Sequence, residues 1–234
     1  MYLTITTILI SMFHIKPGKV FITLLSIIFF LLLLNIASYL ILYFENGHPE
    51  DFFFRKTNFN MEKNLPSIFS GILHFASSIL LLLIGRKVVR NKSFWFFLSF
   101  LFLFTGLDEI LRLHEKMGKS ISHTIETSSI FLFSWVIPYG IAAIIIAVII
   151  FKPLFSLDKG TIRSFLLSAL LFLSGAVGVE MFTGWYIEYY QLDLTRLLVI
   201  PDAFILSTIE ELLEMLGLSY FIYSLLVFKM KHNI

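Results

Sequence analysis

Three apolar stretches of this 234-residue chain carry ionisable side chains that a plain membrane anchor would avoid. Residues 106–118, GLDEILRLHEKMG, hold Asp108, Glu109, Arg112, His114 and Glu115; residues 174–186, SGAVGVEMFTGWY, hold Glu180; residues 208–217, TIEELLEMLG, hold Glu210, Glu211 and Glu214. A fourth stretch adds His74 among the hydroxyls of Ser70, Ser77 and Ser78. A charge at the centre of a bilayer costs at least ~2.5 kcal/mol on insertion scales, so such groups point to function. Carboxylates with imidazole suit Zn, Mn or Fe, and carboxylates alone suit Mg or Ca. The expected chemistry is a divalent-cation site (Zn, Mn, Fe or Mg) built from Asp108, Glu115, Glu180, Glu210 and Glu214 with His74. Asp108, Glu115, Glu210 and Glu214 are its expected catalytic groups. The ion would polarise an oxygen or activate water or dioxygen, and a protonated neighbour would act as acid.

Depth and helical phase support this grouping. Counted from the outer ends of their segments at 1.5 Å per residue, His74, Asp108, Glu180 and Glu210 all fall ~10 to 14 Å below the outer boundary. With 100° per residue, Asp108, Arg112 and Glu115 share one face of a continuous helix, Glu109 turns to its edge and His114 points away. Glu210 and Glu214 stack at i, i+4, with Glu211 off that line. Carboxylates so placed in a low dielectric must be protonated or neutralised by Arg112 or a bound cation. The Glu-x-x-His pairs of a di-iron bundle are absent from these stretches.

Each of these residues also has a plainer role open to it. Asp108, Arg112 and Glu115 could form an internal ion network, His74 a hydrogen-bonded packing contact, and His114 a snorkelling side chain near the interface. Trp185, Tyr186, Tyr189 and Tyr190 fit an interfacial aromatic belt. Glu62 and Asn64 stand before Pro66, where they could cap a helix or lean over the site.

The elements that must position this chemistry are membrane-spanning helices. The chain is 58% hydrophobic and only 15% charged, with 27 phenylalanines, whereas a soluble domain carries about 25% charged residues. Helices satisfy their own backbone hydrogen bonds in hydrocarbon, and ~20 apolar residues cross it. Six segments qualify, at about 20–44, 67–84, 93–113, 129–151, 165–187 and 203–228. The expected fold class is all-α, a polytopic transmembrane helix bundle forming a single membrane domain over residues 1–234. Residues 1–18 read as an interfacial or disordered N-terminal segment. Pro66 and Pro201 open spans, and Pro138 is expected to kink the fourth.

Eleven of the eighteen Lys and Arg residues fall in alternate loops: Lys16 and Lys19; Arg86, Lys87, Arg90 and Lys92; Lys152, Lys159 and Arg163; Lys229 and Lys231. That side is expected to be cytoplasmic, with both termini on it. Of the sixteen acidic residues only Asp158 lies there, which leaves the outer half acidic. The net charge is +2 and no basic block is interleaved with aromatics, so nucleic acid is not an expected partner. With no cysteine, any metal must be held by oxygen and histidine nitrogen.

Glu62, Asn64, Pro66, Ser67, Phe69 and Ser70, then LDE with HE at 107–109 and 114–115, then EELLEMLG at 210–217, resemble a recurrent group of uncharacterised bacterial multipass membrane proteins. The resemblance covers roughly residues 62–217 and implies the bacterial inner (cytoplasmic) membrane, but no activity. The leading functional expectation is a metal-dependent membrane enzyme acting on a lipid or other lipophilic substrate. Its rivals are a proton- or cation-coupled transporter or channel, weakened by the lack of a visible inverted repeat, and a structural subunit of a membrane complex.

Overall fold

The computed structural model describes residues 16–44, 48–61 and 63–234. The expected N-terminal segment before Lys16, and Glu62 of the resemblance, lie outside the described residues. No strand occurs among the described residues, and six helices are long and apolar enough to cross a membrane. The chain is an all-α, polytopic membrane bundle.

Helix α1 (Pro17–Phe44) is followed by the short α2 (Phe52–Thr57) at the end of the bundle that the expected orientation makes the outer one. Helix α3 (Leu65–Lys87) starts where Asn64 accepts the Ser67 N–H at 2.9 Å and Pro66 occupies the first turn; it ends on Arg86 and Lys87, whose charges suit a helix C-terminus. It forms an antiparallel hairpin with α4 (Lys92–Leu111), tied by Ser78 and Ser99, whose hydroxyls each donate to the other residue's carbonyl at 2.7 and 2.9 Å. Then come α5 (Leu113–Ser122), a single 3-10 turn (Ser129–Phe131) and α6 (Val136–Phe155). The fifth crossing joins α7 (Lys159–Leu173), a π-helical stretch (Ser174–Val179) and α8 (Glu180–Tyr189). Helix α9 (Pro201–Lys231) closes the chain.

Helix α9 is the axis of the bundle, more than half buried over its apolar window, and it packs against α1, α3 and α7. One core cluster at the inner end joins Leu81, Ile84, Trp95, Phe165, Leu225 and Phe228; another, toward α1, joins Ile28, Leu31, Leu73, Met215 and Ile222. Asn35 of α1, fully buried, donates to Thr208 Oγ1 of α9 at 2.9 Å and accepts the Phe59 N–H at 2.8 Å, which fixes the outer segment over the bundle. Helix α6 is the exception, standing off from the other spans with only a small share of its residues buried.

Two side-chain sets mark the ends of the bundle. At one, Asn91 donates to Ser156 Oγ at 2.7 Å and Lys231 reaches Asp158 at 2.7 Å. At the other, the Tyr186 hydroxyl donates to Asp202 at 2.7 Å and the Ser129 N–H to Glu188. The basic loops read from the sequence meet at the first end. Reporters fused after Arg90, Lys159 or the C-terminus are expected to read cytoplasm and those after Lys119 or Arg196 the outer side; a cytoplasmic reading at Lys119 would overturn this orientation.

Asp158 caps α7 through the Thr161 N–H and hydroxyl while holding Lys231. The Lys231 hydrogen bond, then those from Thr161, push its carboxyl below the ordinary aspartate range. A carboxyl whose folded-state pKa is depressed stabilises the fold above its unfolded pKa of about 3.9, and that stability is lost as pH falls further. The thermal midpoint of wild type is therefore expected to pull away from that of Asp158→Asn above about pH 4 and converge with it below. A constant gap from about pH 7 to 3 would remove this role.

Several boundaries differ from those read in the sequence. The third span stops at Leu111 because Arg112 turns left-handed, with φ 57°, so His114 and Glu115 belong to a separate helix. The fourth begins at Val136 rather than 129. Pro138 therefore lies in its first turn, where proline is tolerated, and the expected kink is not there; the proline inside that helix is Pro153.

Candidate functional site

A cavity of about 1290 Å³ separates α6 from α4, α7, α8 and α9. Drug-sized ligands occupy roughly 300–1,000 Å³, so this space suits something larger. Its inner part is apolar, walled by Phe94, Leu98 and Phe102 of α4, Ala143, Ala147 and Ile150 of α6, and Phe165 and Ala169 of α7. The alanines of α6 face this space instead of a neighbouring helix, so their small size adds volume. From Phe94 to Glu109 the cavity follows α4 for ~22 Å at 1.5 Å per residue.

Its outer part is where the ionisable groups gather. Asp108, Glu109, Arg112, His114, Glu115, Glu180, Glu210, Glu211 and Glu214 all line it, as does His74. Counting along the helices puts the candidates on one level, and one cavity does join them. They are not equivalent within it.

Asp108 is buried, at 6% exposure, and its carboxylate is engaged twice by His114: Oδ1 accepts the backbone N–H at 2.8 Å and Oδ2 faces ring Nδ1 at 3.2 Å. Both contacts depend on the left-handed Arg112, which ends α4 and swings the next residues back over it. His114 therefore points into the cavity, whereas the phase of a continuous helix turns it away. Its ring lies 5.1 Å from that of Trp135 and 6.3 Å from that of Tyr139. Glu115 pairs with Arg112, with Lys119 at 3.8 Å.

The deeper carboxylates sit on α8 and α9. Glu180 accepts the Trp135 indole N–H at 2.9 Å, and its carboxyl faces that of Glu210. Two carboxyl groups held face to face in a low dielectric need a proton or a cation between them. Glu214 follows one turn later on α9, within electrostatic reach of Glu109 and Glu211. The approach of these elements is set by Gly175 in the π-helical stretch, where a Cβ would stand 2.6 Å from the Glu210 carbonyl oxygen and 3.0 Å from Glu214 Cγ. π-bulges recur at functional sites. Here Ser174 turns its hydroxyl back onto the Leu170 and Leu171 carbonyls, which competes with regular helix hydrogen bonding.

His74 is 3% exposed, hydrogen-bonded through Nδ1 to the Thr105 hydroxyl at 3.0 Å and packed against Phe102 and Phe172. Among the described residues, no three His, Asp or Glu side chains stand together as a group that could hold a metal ion. The carboxylates surround a volume rather than converge on a point. Glu109, Glu211, His114, Trp135 and Tyr139 are cavity residues that phase and depth leave out. The signal for the last two is Pro138, which marks a helix start and so places Trp135 just before the first turn.

A family model for a domain of unknown function, DUF8692, matches residues 20–228. The chain belongs to this family. The match includes every residue of the cavity named above and agrees with the resemblance to uncharacterised membrane proteins seen in the sequence. No curated protein and no solved structure matches the DUF8692 chain.

Proposed function

We propose that this protein is a bacterial inner-membrane enzyme that acts on the polar end of a lipid or other lipophilic molecule, with a divalent cation drawn in by Glu180, Glu210 and Glu214. The observation that carries this reading is the composition of the cavity along its length. Its apolar inner part matches hydrocarbon, and its acidic outer part matches chemistry at a head group. Of the candidate ions Zn, Mn, Fe and Mg, Mg and Mn are the best suited to carboxylates alone. Asp108 and Glu115 contribute differently from the sequence expectation in this reading, because His114 and Arg112 already occupy them.

One observation favours a second reading, a proton- or cation-coupled carrier. The third crossing breaks at Arg112 and the fifth is π-helical over Ser174–Val179, next to the carboxylates in both cases. Interrupted helices beside ionisable groups are a feature of transporters. The two readings part on whether a lipophilic molecule is held.

Ala143→Trp would fill the apolar part from the α6 wall, whereas Ile145→Trp, on a residue that is 54% exposed and outside the cavity, would not. Protein purified in nanodiscs, then extracted and analysed by mass spectrometry, is expected to retain about tenfold less bound lipophile in Ala143→Trp, equivalent to ~1.4 kcal/mol. Ile145→Trp should match wild type. Equal retention in all three would refute a lipid-binding cavity.

A further inference from the structure

We infer that His114 is the proton-transfer residue of this site, with Asp108 as its positioning residue and Nε2 as the atom that receives the proton. The inference rests on the enzyme reading of the cavity and goes beyond it by assigning the base. Asp108 holds both the backbone N–H and ring Nδ1 of His114, at 2.8 and 3.2 Å. A carboxylate on Nδ1 selects the tautomer with its proton there, so Nε2 carries the free lone pair. Nε2 has no hydrogen-bond partner among the described residues and is not sealed off from the cavity. The Trp135 and Tyr139 rings restrict the imidazole to this orientation.

The step this geometry supports is removal of a proton from a hydroxyl or a water at the polar end of the cavity. The proton moves to Nε2 and the bonding pair stays on oxygen, which becomes a nucleophile. That oxygen bonds to the electrophilic carbon or phosphorus at the polar end of the substrate as the bond from that atom to its leaving oxygen breaks, and the imidazolium, stabilised by Asp108, gives its proton to the leaving oxygen. The groups that face it are Glu109 on the same helix as Asp108, Arg112 and Glu115 at the break and on α5, Tyr139 on α6 and Glu180 on α8. Burial disfavours the charged ring, but the Asp108 hydrogen bond and charge, with Glu109 and Glu115, outweigh it and hold the imidazole above the ordinary histidine range.

Diethylpyrocarbonate, which acylates neutral imidazole, tests this on the full chain in nanodiscs, read site by site by peptide mass spectrometry across about pH 5 to 9. The expected result is that His114 reacts, with a half-reaction pH above the ordinary histidine value of about 6.5, and that Asp108→Asn lowers it. A His114 that stays unreactive up to about pH 9 would overturn the assignment, as would an unchanged half-point in Asp108→Asn. If that variant does not fold, wild type decides alone, and a half-point at or below the ordinary histidine value of about 6.5 refutes the dyad. Lipid retention is read on the same samples. Retained lipid with an unreactive His114 overturns only this inference, whereas no retained lipid overturns the enzyme reading and with it the catalytic use of His114.

Discussion

The Gly217→Val variant is expected to lose most of its folded protein. A Cβ at this position would stand 2.6 Å from the backbone nitrogen of Phe172 and 3.0 Å from its Cα. Both are backbone atoms, so no side-chain rotation relieves the clash and α7 must move away from α9. Close helix approach over small residues is what holds such bundles together where lipid is as apolar as the interface. Overpacking of this kind costs about 1–3 kcal/mol, and more where backbone must shift. Because α9 is the axis of the bundle, the displacement would spread to the α1 and α3 contacts. Gly18, where an added Cβ would meet nothing within 4 Å, supplies the control. Thermal unfolding in detergent should show Gly217→Val well below wild type and Gly18→Val level with it; equal midpoints would mean that the α7–α9 contact is not tight.

The second large effect is expected at adjacent glutamates of α9. Glu210→Gln and Glu214→Gln should each lower divalent-ion affinity by at least about 100-fold, since even groups behind the ligands typically contribute 10–100-fold. The amide keeps the volume of the side chain and loses the charge that a cation needs. Glu210 is the residue facing Glu180, and Glu214 lies ~40° from it on the same face. Glu211 lines the cavity ~100° away from Glu210 around the helix, so Glu211→Gln should be milder. All three should fold, since removing crowded carboxylates relieves repulsion. Equal and severe loss of folded protein in all three would instead show that these glutamates hold the bundle together.

The spans were legible because a hydrocarbon solvent imposes one strong rule, long apolar runs, and punctuates it with features readable one residue at a time. Asn64 with Pro66, Pro201 and the basic loops all fall where the helices begin and end. The level of the candidate site was legible for the same reason, since depth is simple counting along a helix. Orientation around the helix was not always legible. Helical phase orients His114 and Glu115 only if the third span continues past Leu111, and nothing in LRLHE marks the left-handed turn at Arg112, a conformation more usual for glycine or asparagine. That single turn exchanges the roles of two residues, bringing His114 onto Asp108 and leaving Glu115 to Arg112. The cavity itself was hidden because it depends on α6 standing off from the bundle, and the sequence of α6 over 141–151 is apolar on both faces.

Native mass spectrometry of the wild-type protein released from nanodiscs made with native lipid tests the proposed function most directly, because it reads the lipophile and the ion together. The expected result is a dominant species heavier than the 27.1 kDa chain by one lipophilic molecule and at least one divalent ion, with the ion lost in Glu210→Gln and the lipophile lost in Ala143→Trp. A wild-type spectrum of the bare chain alone would contradict it.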